Sequence, residues 1–132
     1  MNAAIPTAVC VAASILASAT HGYIFAKESI LFPRPRTQAM LEVAAEHATA
    51  VRLWAFHQGI YNLLLGTVAV AGAVAMAAGA FTIAATLIVT FSVSMIVAAA
   101  SLFAADARRA RVPGLIAQAL PAVSALVALA FA

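Results

Sequence analysis

Seven polar side chains lie within apolar stretches of this 132-residue chain, and their chemistry could serve a buried ligand site. Polar groups are costly in an apolar medium and usually face other helices or a site. A carboxylate can bind a cation, amides and a phenol can orient a ligand, and histidines can exchange protons. The seven candidates are His21, Glu28, His57, Gln58, Tyr61, Asn62 and Gln118.

Helical spacing predicts that these candidates converge. At about 100° per residue, His21 and Glu28 differ by only about 20° and share a face. The four candidates within 57–62 fall in an arc of about 140° on the next helix. With a rise of about 1.5 Å per residue, His21 lies about 10 Å deeper than Glu28, and Gln118 lies about one and a half turns into the last helix. We therefore predict a polar cluster in one half of a helical bundle.

The elements that must position this cluster are membrane-spanning helices. The chain is 66% hydrophobic and only 8% charged, whereas a soluble domain is about 25% charged. Its apolar stretches reach the roughly 20 residues that cross a bilayer. They cover about 3–32, 51–78, 80–105 and 112–132, with polar links at about 33–50 and 106–111. The predicted fold is all-α, a four-transmembrane-helix bundle forming a single membrane domain over 1–132.

Proline and glycine mark the ends of the predicted spans. Pro33 and Pro35 end the first helix, because proline lacks a backbone donor and restricts the residue before it. Gly79 separates the second and third spans with almost no polar loop, which predicts a tight hairpin. Thr37–Ala50 mixes apolar and charged residues, and this pattern suits either an interfacial helix or an early extension of the second span.

The basic residues predict the orientation of the chain. All seven flank the first or third predicted link, and the second link has none: Lys27, Arg34, Arg36, Arg52, Arg108, Arg109 and Arg111. By the positive-inside rule this end is cytoplasmic. We expect a multi-pass protein of the plasma (inner) membrane with both termini, Met1 and Ala132, outside the cytoplasm.

A cleaved signal peptide is the competing interpretation of the first apolar stretch. Ala17, Ser18 and Ala19 resemble a small-residue cleavage site. However, no basic segment precedes the stretch, and it continues through Tyr23 to Phe32. We therefore expect it to be retained as a span.

Several function classes have no support in the sequence. The net charge of +3 is not accompanied by a nucleic-acid-binding motif, so we expect no nucleic acid partner. Cys10 is the only cysteine, and the histidines lack compact ligand spacing, so we expect no metal. No phosphate-binding loop or nucleophile motif is present. We assign no cofactor and no catalytic residue.

The order of four short segments resembles the small bacterial membrane proteins grouped as domain of unknown function 1304. The segments are HGYIF at 21–25, ESILF at 28–32, HQGIYN at 57–62 and QALPA at 118–122. His57 stands where that family more often has asparagine, and Ala26-Lys27 replaces a more apolar pair. The resemblance implies four spans and the polar cluster, and the family brings no assigned reaction.

Three hypotheses follow from these observations. The first is binding or permeation of a small amphipathic or cationic molecule, with Glu28 supplying charge and Tyr61 and the amides orienting the ligand. The second is a structural or accessory subunit. Besides membrane lipid, it would pack against further copies of itself or against a larger membrane complex. The third is a membrane enzyme acting on a lipid-like substrate, with His21 or His57 as acid-base and Glu28 as its partner.

Overall fold

The computed structural model describes residues 4–132, and within them the chain is helical. Four helices are long and apolar enough to cross a membrane, which confirms the predicted all-α fold of four transmembrane helices. The predicted start near residue 3, and Met1, lie outside the described residues. The helices are α1 Ala4–Phe25, α2 Pro35–Met40, α3 Ala48–Ala77, α4 Phe81–Ala105 and α5 Val112–Leu129.

The ends of the spans follow from local backbone chemistry. The first span does not remain α-helical to its end, because a π-helical turn at Ala26–Ile30 follows α1. Pro35 then occupies the first turn of α2, where its missing N–H needs no partner. Gly79 has φ +74 between α3 and α4, a left-handed conformation that glycine adopts without steric cost.

The segment Thr37–Ala50, for which the sequence left two interpretations open, contains a short helix and an early start of the second span. Its first residues belong to the short helix α2, which ends at Met40. A 3-10 turn at Ala45–His47 then leads directly into α3, so the second span begins earlier than the sequence predicted. The short α2 brings the link back against the end of α1, where the Lys27 ammonium contacts Met40 Sδ at 3.5 Å.

The four spans form an up-and-down bundle. Each packs against the next span along the chain, and α5 closes the ring against α1. Alanines make much of the shared core, and small side chains let membrane helices approach closely. Cys10 is fully buried there and its thiol contacts the Ala125 carbonyl oxygen at 3.5 Å.

Ion pairs hold the two polar links together at one end of the bundle. The guanidinium of Arg108 contacts Glu42 at 2.7 Å and Asp106 at 2.6 Å, and Arg111 contacts the same two carboxylates at 2.9 and 2.8 Å. Hydrogen bonds from Arg108 lower the pKa of both Glu42 and Asp106. Because Glu42 lies in the first link and Asp106 in the third, the chain crosses the bundle an even number of times between them.

Candidate functional site

The candidate site begins where the π-helical turn of the first span meets α3. The Leu31 N–H donates to the Ala26 carbonyl at 2.8 Å, five residues back, as expected for a π turn. A π turn displaces the following side chains around the helix axis, and here both Glu28 and Ser29 face α3. Ser29 Oγ donates to the Phe56 carbonyl at 3.1 Å, which ties this turn to α3.

Gly59 allows this close approach. A Cβ at this position would overlap Ser29 Oγ and would lie 3.2 Å from Glu28 Cβ. Gly66 lies two turns further along the same buried face of α3. A Cβ at Gly66 would lie 3.2 Å from the Ser18 carbonyl oxygen. Two glycines therefore bring the backbone of α3 near the first span on either side of Asn62.

Asn62 is the centre of the hydrogen-bond network. Its Oδ1 lies 2.7 Å from His21 Nδ1, and its Nδ2 donates to Glu28 Oε2 at 3.0 Å. The second Nδ2 hydrogen is directed to the Gln58 carbonyl oxygen, also at 3.0 Å. The amide thus has both of its donors and its acceptor engaged, and it links two polar groups of the first span to α3.

These contacts determine the hydrogen positions on His21. Asn62 Nδ2 faces a carboxylate and a carbonyl, both acceptors, so the amide oxygen must face His21. His21 Nδ1 therefore carries the proton and donates to Asn62. The imidazole is fully buried, and its Nε2 has no hydrogen-bond partner within residues 4–132. In the chain His21–Asn62–Glu28, each residue therefore donates to the next, and the chain ends at the carboxylate.

Glu28 is half-buried and borders an open groove. The groove has a volume of about 420 Å³ and lies between the end of the first span and the start of α3. Within residues 4–132 Glu28 forms no ion pair. The groove is lined by Glu28, Ser29, Phe32, Pro33, Thr49, Arg52, Leu53 and Phe56.

The structure brings together three of the seven candidate side chains, His21, Glu28 and Asn62, and leaves four apart. Gln58 contributes only its backbone carbonyl, and its side chain is exposed. His57 is exposed, and Tyr61 is 62% exposed on the outer surface of the bundle. Gln118 is half-buried on α5, with no hydrogen bond to the network in the described chain.

The 140° arc predicted on the second span therefore divides at Asn62. Most of the buried residues of α3 are small, so the bundle-facing stripe follows the small side chains. The buried residues are Gly59, Asn62, Gly66, Ala69, Gly72, Ala73 and Met76. The remaining polar residues of the arc lie toward lipid, together with Trp54, which is 73% exposed. Tyrosine and tryptophan are typical of the membrane interface, where a ring and a polar tip meet different media.

Two contributors to the site were missed in the sequence. Gly59 carries a readable signal, because with Gly66 it marks a seven-residue repeat of small residues around Asn62. Ser29 carries none, since its position depends on the π turn. Among residues 4–132, no three histidine, cysteine or acidic side chains come close enough to hold a metal ion.

Comparison with known proteins identifies the family. The model of the family described as protein of unknown function (DUF1304) matches residues 15–130. The chain belongs to the DUF1304 family. The matched region contains every candidate residue and the whole groove beside Glu28. Searches of curated proteins and of solved structures found no match, so no activity comes to this DUF1304 protein from a relative.

Proposed function

We propose that this DUF1304 protein binds a small amphipathic molecule with a cationic group in the groove beside Glu28. The observation that carries the proposal is a carboxylate at the end of a membrane span that has a hydrogen-bond donor but forms no ion pair within residues 4–132. Such a group is costly in a membrane unless a cation or water accompanies it. A ligand ammonium would supply the missing positive charge.

The two carboxylate oxygens of Glu28 differ in a way that suits ligand binding. Asn62 holds Oε2 at 3.0 Å, while Oε1 forms no hydrogen bond within the described chain. One oxygen is therefore fixed by the protein and the other is available to a ligand. Because Asn62 is itself oriented by His21 and the Gln58 carbonyl, the carboxylate is held in place before a ligand arrives.

The walls of the groove define the rest of the ligand. Phe32, Leu53 and Phe56 are apolar and suit a hydrocarbon or aromatic body. Arg52 also lines the groove, and its backbone lies about 10 Å along α3 from that of Gly59, the glycine that faces Glu28. A positive charge in the same groove disfavours a ligand with a second ammonium.

Glu28→Gln tests the proposal in nanodiscs of neutral lipid, with octylamine as the probe. Glutamine retains an oxygen that accepts from Asn62 but removes the charge, so the fold is expected to persist. We expect octylamine to raise the melting temperature of the wild type and to bind the variant about tenfold or more weakly, the usual contribution of a charge-assisted hydrogen bond. Glu46→Gln is the matched control, because Glu46 is exposed near His47 and outside the groove.

Two further probes separate charge from partitioning into lipid. Octan-1-ol and octanoate have the same chain length and are expected to give no stabilisation that depends on Glu28. Tyr61→Phe is expected to respond like the wild type, because Tyr61 does not line the groove. An equal octylamine response in the wild type, Glu28→Gln and Glu46→Gln would contradict the proposal.

A structural role is the second candidate, and the buried contact between His21 and Asn62 favours it. These side chains touch directly at 2.7 Å, and both are buried, as expected of a hydrogen bond that fixes two spans in register. In this alternative the protein is an accessory subunit, and the network serves only the bundle. Crosslinking in lipid that captures no partner and no second copy would count against it.

We also propose the plasma (inner) membrane as the location, with both termini outside the cytoplasm. The support is that all seven basic residues lie in or beside the two polar links, which the Glu42–Arg108 ion pair places at one end. Single cysteines at Arg109 or at Ala80, each in a Cys10→Ser background, test this. A membrane-impermeant maleimide applied outside intact cells is expected to label Ala80→Cys only, and labelling of Arg109→Cys instead would reverse the orientation.

A further inference from the structure

We propose a second binding site, for the headgroup of an anionic phospholipid, in a basic groove at the end of the first span. This groove has a volume of about 550 Å³ and shares no lining residue with the groove beside Glu28. Its charged residues are Lys27, Arg34 and Arg36, and its apolar wall includes Leu31 and Met40. It is independent of the proposed function of the Glu28 groove.

The charges of the groove have no carboxylate partner in the described chain. The four carboxylates of the sequence lie elsewhere: Glu28 lines the other groove, Glu42 and Asp106 bind arginines of the third link, and Glu46 lies near His47. No ion pair is formed by Lys27, Arg34 or Arg36 within residues 4–132. Three uncompensated cations around one groove create a field that favours a polyoxygen anion such as a phosphodiester.

Lys27 is already positioned toward the groove. Its Nζ lies 5.2 Å from the centroid of the Tyr23 ring and 3.5 Å from Met40 Sδ. Both partners are neutral and weak, so they orient the ammonium without neutralising it. Tyr23 is 58% exposed, as is typical of an aromatic ring at the boundary between lipid and water. A headgroup oxygen could bind Lys27 without breaking an ion pair.

The position of the groove indicates a phospholipid rather than free phosphate. Lys27 is in the last turns of the first span, whereas Arg34 and Arg36 follow in the link, so the three charges cover the depth of a headgroup. Ile30 is 61% exposed beside this region and offers an apolar surface to an acyl chain. Basic pockets next to spans are known to bind anionic lipid headgroups in this manner.

The experiment measures lipid binding by native mass spectrometry, using protein in phosphatidylcholine nanodiscs with increasing phosphatidylglycerol. We expect phosphatidylglycerol to be retained in preference to phosphatidylcholine. Lys27→Gln, Arg34→Gln and Arg36→Gln are each expected to weaken its binding about fivefold, as for one basic residue near a membrane surface. Arg109→Gln is the matched control, because Arg109 is exposed, has no ion pair in the described chain and lies outside the groove.

The outcomes distinguish this site from general attraction to a charged bilayer. Lys27→Arg, unlike Lys27→Gln, is expected to bind phosphatidylglycerol about as well as the wild type, since it keeps the charge. If Arg109→Gln weakened binding as much as Lys27→Gln, the effect would belong to the whole basic end and the site would be disproved. Equal retention of phosphatidylcholine, or displacement of the lipid by inorganic phosphate at matched concentration, would also overturn the proposal. Circular dichroism of each variant verifies that the helices remain.

Discussion

Asn62→Leu is expected to lower the free energy of unfolding by about 2–4 kcal/mol. Leucine shares the branched Cγ of asparagine but is larger, so the variant leaves no cavity between α3 and the first span, and crowding there adds to the loss. The variant removes the bonds to His21, Glu28 and the Gln58 carbonyl, and interhelical hydrogen bonds in membranes are each worth about 0.6–1.7 kcal/mol. It also leaves buried polar groups without partners, which adds to the loss. Unfolding in mixed micelles, followed by the fluorescence of Trp54, measures the change.

Gln58→Leu is the matched control for this prediction. It makes the same change of an amide to leucine one turn earlier on α3, but the Gln58 side chain is exposed and only its backbone enters the network. We expect its unfolding free energy to stay within about 0.5 kcal/mol of the wild type, as for most surface substitutions. Equal stability of Asn62→Leu and the wild type would show that the network contributes nothing to the bundle.

Gly59→Ala is expected to destabilise the protein by about 1–3 kcal/mol, the usual effect of adding a methyl group to a closely packed contact. The new Cβ would overlap Ser29 Oγ and would lie only 3.2 Å from Glu28 Cβ, so the π turn must move away from α3. This movement would also break the bond from Ser29 to the Phe56 carbonyl. The melting temperature in detergent reports the loss, and octylamine binding reports the change in the groove.

Gly114→Ala and the double variant Gly59→Ala, Ser29→Ala make this prediction specific. Within residues 4–132, and apart from its chain neighbours and the nearby backbone of α5, no atom lies within 4 Å of a Cβ at Gly114, so alanine there is expected to be neutral or stabilising by about 0.5–1 kcal/mol. Removing Ser29 Oγ takes away the overlapping atom, and we expect the double variant to recover part of the stability lost in Gly59→Ala. A double variant no more stable than the single one would assign the cost to another contact.

Glu28→Gln and Asn62→Leu together separate the two proposed roles of the hydrogen-bond network. If the His21–Asn62–Glu28 chain only joins helices, Glu28→Gln should change little beyond stability, because glutamine still accepts from Asn62. If it positions a carboxylate for a ligand, Glu28→Gln should lose octylamine binding while the bundle stays intact. Asn62→Leu should then lose both. The direction of the hydrogen bonds from His21 through Asn62 to Glu28 suits the second arrangement, because it stabilises an ionised carboxylate.

Membrane fold and family could both be predicted from the sequence. Long apolar stretches bounded by prolines, a glycine and arginines predict four spans, since the length needed to cross a bilayer leaves few other structures. The pairing of His21 with Glu28 on one face also follows from helical spacing, and both contact Asn62. Their use as a ligand site remains a prediction. The resemblance to the DUF1304 family is confirmed by a match over residues 15–130.

Sequence alone determined which stretches enter lipid, where they end and which polar groups the first span presents on one face. Each of these depends on local composition and on the fixed period of a helix. The tertiary structure decided that Asn62, rather than His57, Gln58 or Tyr61, faces the first span. All four fall in one arc, and only the neighbouring helix distinguishes them, because it packs against the small residues Gly59 and Gly66. The π turn that brings Ser29 to α3 likewise depends on that packing.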